Sequence, residues 1–172
     1  MTDQLRASAL AREAYQLWNS GKLSDAELRY QEAIEWADPK HWGLPSYCSE
    51  LACVLNAQGK SDRATLQFEK ALSLELSHGE NDGSLKVIVA RYFLADQLIR
   101  NHDPSGALDV LTPSILASPT NWFIRLAEAK ALFALDRLAE ARRAADCAIQ
   151  NAPSTIEREE LLQDLSAILE SD

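Results

Sequence analysis

Four pairs of alanines set the terms for this chain: Ala14 and Ala26, Ala52 and Ala64, Ala95 and Ala107, Ala129 and Ala141, with the members of each pair twelve positions apart. Apolar residues surround each alanine at helical spacing: Leu10 and Leu17 in the first unit, Cys48, Leu51 and Leu55 in the second, Leu94 and Leu98 in the third, Leu132 in the fourth. Such spacing puts one alanine on each of two successive helices. Small side chains at a crossing let two helix axes approach to roughly 8–10 Å. The repeated element is therefore a helix pair, and the chain carries four in series.

The rest of each unit follows the same grammar. Gly21 and Gly59 fall between the two helices of the first and second units, where a left-handed residue is needed. The third turn reads Asn101-His102-Asp103-Pro104-Ser105, with Pro104 suited to open a helix, and Asp136 takes the glycine's place in the fourth. After the second alanine come larger residues, Tyr30, Phe68 and Leu111, then a further small residue at Ala33, Ala71, Ser114 and Ala148. Pro39, Pro119 and Pro153 end their units.

With these positions in register the chain resembles the tetratricopeptide-repeat family, whose unit is about 34 residues long. The resemblance covers nearly the whole length as units at 7–40, 45–78, 88–121 and 122–155, with a capping helix over 155–170, in one domain spanning 1–172. It implies an all-α solenoid of antiparallel helix pairs, a right-handed superhelix. Spacing between the second alanines is 38, 43 and then 34 residues, so the junctions near His41-Trp42-Gly43-Leu44 and Gly79–Ser84 carry insertions. The second insertion is expected to be an exposed loop, with Asp82 or Ser84 capping the next helix.

An open stack needs a polar-backed end. Ser154-x-x-Glu157 has the spacing of a capping box. Leu161, Leu162, Leu165, Ile168 and Leu169 then mark one apolar stripe. Residues 155–172 hold six acids, Asp172 among them, against Arg158 alone, which suits an outward-facing cap. The same stripe could instead join two copies of the chain.

Charge and composition remove several functions. The net charge is −9 with no basic stripe, so neither a nucleic acid nor an anionic membrane is an expected partner. No apolar run approaches the roughly 18 residues of a membrane span. Residues 1–6 lack a basic start leading into an apolar stretch, so no secretory signal is expected and the cytoplasm is the expected location. Cys48, Cys53 and Cys147 are odd in number and lack metal-ligand spacing, so they read as reduced thiols. His41, His78 and His102 all fall near turns. Only His78 with Glu80 and Asp82 forms a local cluster that could hold a cation, and loop solvation explains it as well. No phosphate loop, dinucleotide fingerprint or nucleophile elbow occurs, so no cofactor, metal or catalytic residue is expected.

The family resemblance implies a binding groove lined by the first helix of each unit. Its candidate residues are Tyr15, Trp18 and Asn19, then Asn56, then Tyr92, Asp96 and Arg100, then Phe123 and Lys130. Ser8, Ala11, Ser49, Cys53, Val89, Ile99, Leu126 and Phe133 share that register. Trp18, Phe123 and Phe133 could equally be core. Some family members grip a C-terminal carboxylate with lysine, asparagine and arginine. The corresponding positions here hold Ala11, Tyr15, Glu50, Val89 and Phe93, so that clamp is missing. The expected function is a protein-interaction module, an adaptor or co-chaperone-like scaffold holding a peptide or partner helix. A self-associating structural protein joined by its end helices, and a sensor of a small ligand or metal, are the alternatives.

Overall fold

A computed structural model describes residues 2–170, so Asp172 lies outside the described residues. All regular structure in them is helical. α1 (Gln4–Asn19) pairs with α2 (Leu23–Trp36), and α3 (Leu44–Ala57) with α4 (Ser61–Ser77). α5 (Leu85–Arg100) pairs with α6 (Pro104–Ala117), and α7 (Trp122–Ala134) with α8 (Leu138–Gln150). Two short helices follow, α9 (Thr155–Asp164) and α10 (Ser166–Leu169). The pairs gather into two compact units, the first ending at Glu80 and the second starting at Asn81.

The alanine pairs do what their spacing requires. All eight are completely buried. Tyr30 and Leu111 are fully buried behind them and Phe68 nearly so. In the fourth pair Ala145 holds the equivalent place, so that pair has a slimmer core.

All four turns within a pair close in the same way. The first residue after the α1 cap, Gly21, donates to the Trp18 carbonyl, and Lys22 donates back to Leu17. Gly59 and Lys60, His102 and Asp103, and Asp136 and Arg137 repeat this pattern, with every bond at 2.9–3.0 Å. These are Schellman closures, which satisfy the last carbonyls of a helix by placing one residue in the left-handed region. That residue has φ of 76° at Gly21, 74° at Gly59, 62° at His102 and 58° at Asp136. Two of the four turns thus use a side-chain-bearing residue where glycine fits best.

In the second unit, Arg91 organises the entry to the third pair. It is a buried arginine on α5, only 7% exposed. One guanidinium nitrogen donates to the Val110 carbonyl at 2.6 Å, and another pairs with the Asp82 carboxylate. Val110 precedes Pro113, which sits inside α6 and lacks the N–H that a helix needs there. The Ser114 hydroxyl donates to the Asp82 carbonyl at 2.6 Å. These bonds draw the insertion onto the helix pair, so Asp82, Gly83 and Ser84 are half-buried rather than exposed as expected. Of the two expected caps, Ser84 takes the role by accepting from Val87 N–H. Asp82 serves Arg91 instead.

The end of the chain departs from one straight helix over 155–170. Ser154 accepts from Glu157 N–H and its hydroxyl donates to the Glu157 carboxylate, so the serine half of the capping box forms, with the carboxylate on the hydroxyl rather than on the Ser154 N–H. The helix then breaks at Leu165, and the Ser166 hydroxyl takes the Gln163 carbonyl at 3.0 Å. Leu161, Leu165 and Ile168 are buried against α7 and α8, whereas Leu162 is 45% exposed. The stripe is therefore narrower than the pattern of leucines implied.

Candidate functional site

Within each unit the first helices of neighbouring pairs touch, α1 with α3 and α5 with α7, more extensively than the second helices do. The side of each unit on which these first helices meet is called its inner face.

On the inner face of the first unit, α1 presents Tyr15, Trp18 and Asn19. Tyr15 is half exposed and its ring meets Trp18 edge-on, with centroids 6.2 Å apart. Trp18 is half-buried and Asn19 exposed. α3 contributes Ser49, Glu50, Cys53 and Asn56, all half-buried. Tyr30 reaches this region from α2, and its fully buried hydroxyl closes no hydrogen bond of ordinary geometry. The Glu50 carboxyl is its neighbour, and burial with that negative charge beside it raises the phenol far above its ordinary range. Burial also raises Glu50 itself, with the Tyr30 hydroxyl working in the opposite direction. Ala11 is not available to a ligand: it is 5% exposed and part of the core.

The second unit brings its candidates together more tightly. Tyr92 of α5 stacks on Phe123 of α7 at 4.0 Å between centroids, and Phe123 meets Trp122 edge-on. Burial raises the Tyr92 hydroxyl, and the Lys130 charge tempers this. Asp96 and Arg100 form an ion pair along α5 at 2.7 Å. Lys130 pairs with Asp164 of α9 at 2.6 Å, so the end helix has claimed that charge. Leu126 is core. Phe93 and Phe133, both on first helices, are each 37% exposed, and Phe133 is therefore not core. Between α7 and α9 lies a cleft of about 310 Å³, floored by Trp122, Phe123, Leu126 and Leu161 and rimmed by Glu157, Glu160 and Asp164.

Residues raised as alternatives are engaged elsewhere. His78 bonds the Pro39 carbonyl through Nε2 at 2.9 Å, and Asp82 is taken by Arg91. Among the described residues no group of three or more His, Cys, Asp or Glu side chains is arranged to hold a metal ion. Among the described residues no cysteine is in a disulfide, and burial pushes the Cys48 thiol up to about 11. Among the described residues no helix is long and apolar enough to cross a membrane.

Comparison with known structures decides the fold. The chain is similar to BtubC from P. vanneervenii at 18% identity and a TM-score of 0.76, over 96% of this chain and 74% of that one. A tetratricopeptide repeat protein from Parabacteroides merdae is similar at 16% identity and a TM-score of 0.72, over 95% and 60%. The chain has the tetratricopeptide-repeat fold. MamA from Desulfovibrio magneticus shares this fold at 17% identity and a TM-score of 0.66, over 96% and 94% of the two chains. No protein-family model matches the sequence, and no curated protein matches it. The tetratricopeptide-repeat likeness rests on helix geometry and the buried alanines, since identities this low carry the fold alone.

Glu50 is the residue that sequence reasoning passed over. It registered only as a departure from a carboxylate clamp. Its signal was present: a lone acid on an inner helix between Ser49 and Leu51, away from any helix terminus.

Proposed function

We propose that this chain is a non-catalytic protein-interaction module that holds an extended peptide or partner helix on the inner faces of its helix pairs. The observation carrying this is the exposure of aromatic side chains on first helices: Tyr15, Phe93 and Phe133 all face solvent in part. Aromatic anchors beside amides and charges are what a peptide-binding surface uses. Tyr15, Trp18, Asn19 and Asn56 form the contact set of the first unit. Tyr92, Asp96, Arg100, Phe123 and Lys130 form that of the second, with Asp96–Arg100 and Lys130–Asp164 as ion pairs that a ligand would reorganise. An adaptor or scaffold role in the cytoplasm follows from this reading.

The test is affinity capture and mass spectrometry with the wild type and with Tyr15→Ala, Asn19→Ala and Arg100→Ala combined. These side chains are exposed, so the fold should survive their loss. The expected result is loss of the wild-type partners; retention of all of them overturns the proposal.

Self-association through the end helix has an observation of its own. Ile156 is 69% exposed and Leu162 45% exposed, both on α9. Light scattering on Ile156→Ser with Leu162→Ser separates the readings, because only the self-associating version expects these changes to lower the molecular mass.

A further inference from the structure

Glu50 differs from Glu27, Glu128 and Asp96, three carboxylates that are also wholly or partly removed from water. Glu27 is held by Lys60 at 2.6 Å and Arg63 at 2.8 Å, and Glu128 by Arg125 at 2.6 Å. Asp96 has Arg100. Removing a carboxylate from water is costly unless a base or several donors compensate, and the fold supplies a base in each of these cases. No lysine or arginine among the described residues pairs with Glu50. Its polar neighbour is Tyr30, whose hydroxyl is wholly buried and makes no complete hydrogen bond. Tyr30 is bracketed in turn by Tyr15 of α1 and Cys53 of α3. The result is a half-buried acid beside a buried, unsatisfied phenol, which in turn neighbours a half-exposed aromatic ring.

We propose that Glu50 receives a lysine or arginine side chain of the bound partner segment, with Tyr15 and Tyr30 as the walls of that subsite. This deepens the inner-face reading and rests on it. An incoming ammonium or guanidinium group donates to the carboxylate and supplies the missing base, and the Tyr30 hydroxyl donates to the same carboxylate. The half-exposed Tyr15 ring offers the cation a second attraction. Charge-assisted bonds of this kind are the strong ones in partly buried sites. A carboxylate-bearing segment is repelled from the same place.

Fluorescence polarisation with four pools of labelled dodecapeptides tests this, each pool random except for a fixed central arginine, lysine, citrulline or glutamate. The arginine and lysine pools are expected to bind on the order of tenfold more tightly than the citrulline pool, the size of one charge-assisted contact. Glu50→Gln should erase the preference and Glu50→Asp should keep it, with circular dichroism melting confirming that both variants fold. Equal binding of all four pools, or a cation preference that survives Glu50→Gln, overturns the subsite. If that happens while the Tyr15→Ala, Asn19→Ala, Arg100→Ala variant still loses binding, the inner face stands without it. Absence of binding by every pool removes both.

Discussion

The first unit and the second solve the same packing problem with different materials. Up to Glu80 the turns within pairs use glycine, and the buried charges are acids, Glu27 and Glu75, of which Glu27 is answered by two bases from α4 and its cap. From Asn81 onward the turns use His102 and Asp136, α6 contains a proline, and the buried charge is a base, Arg91, answered by one acid and a carbonyl. The turn glycines of the repeat are thus kept in one unit and replaced in the other. In the second, a polar side chain supplies the connection that backbone regularity would have given. Arg91 holds together the insertion and the stretch of α6 next to Pro113.

Removing Arg91 should break this contrast most severely. Arg91→Ala leaves Asp82 without its base and the Val110 carbonyl without its extra donor; Asp82 is itself partly exposed, so the loss of these charge-assisted bonds costs about 1.5–3 kcal/mol. Lys60→Ala in the first unit should cost far less, because Arg63 still holds Glu27. Urea unfolding curves of the two variants measure the gap; equal losses would show that Arg91 is not central to its unit. Overpacking the helix crossings should act alike in both units. Ala52→Leu and Ala95→Leu are each expected to cost about 1–3 kcal/mol, and a tolerated leucine at either would mean the helices there can separate.

The turns give a smaller effect with opposite signs. Gly59→Ala forces a side chain into the left-handed region and should destabilise by about 1 kcal/mol. Asp136→Gly relieves that conformation and should stabilise by a few tenths of a kcal/mol up to about 1 kcal/mol. Thermal melts read both, and equal signs would contradict the assignment of the four turns as equivalent.

The smallest effect is a pH dependence with two directions inside the first unit. Burial alone would raise Glu27, but Lys60, Gln58 and Arg63 more than offset it, so its folded pKa is lowered. Its contribution is therefore present above the ordinary carboxylate range and lost as pH falls through the depressed value. Glu50 is raised, so its contribution is full below that range and lost as pH rises through the elevated value. Glu27→Gln should destabilise the protein at pH 7 more than at pH 3. Glu50→Gln should shift stability in its favour at pH 7 relative to pH 3. Melting temperatures at the two pH values check both.

Much of the fold could be read from residue spacing because the governing contacts are local or periodic. An alanine at a crossing, a glycine after a helix and Ser154 three residues before Glu157 each act within one turn or one helix pair. Arg91 was illegible for the opposite reason. In sequence it is one more charge on a helix, and its burial comes from partners nine residues before it and nineteen after it. The pairing of Lys130 with Asp164 depends on where the end helix settles, and the break at Leu165 has no glycine or proline to announce it. At the candidate site the aromatic positions were readable from register, but the isolation of Glu50 was not. That isolation consists of which bases fail to reach it, and only the folded chain shows this.

Hydrogen–deuterium exchange on the protein bound to a peptide from the arginine pool tests the central claim most directly. Binding on the inner faces should slow exchange in first helices, above all α1 and α3 around Tyr15 and Glu50, and leave α2 and α4 near Leu28 and Leu66 unchanged. Both leucines are exposed on second helices and offer a partner an alternative surface. Protection confined to α2 and α4 would contradict the account.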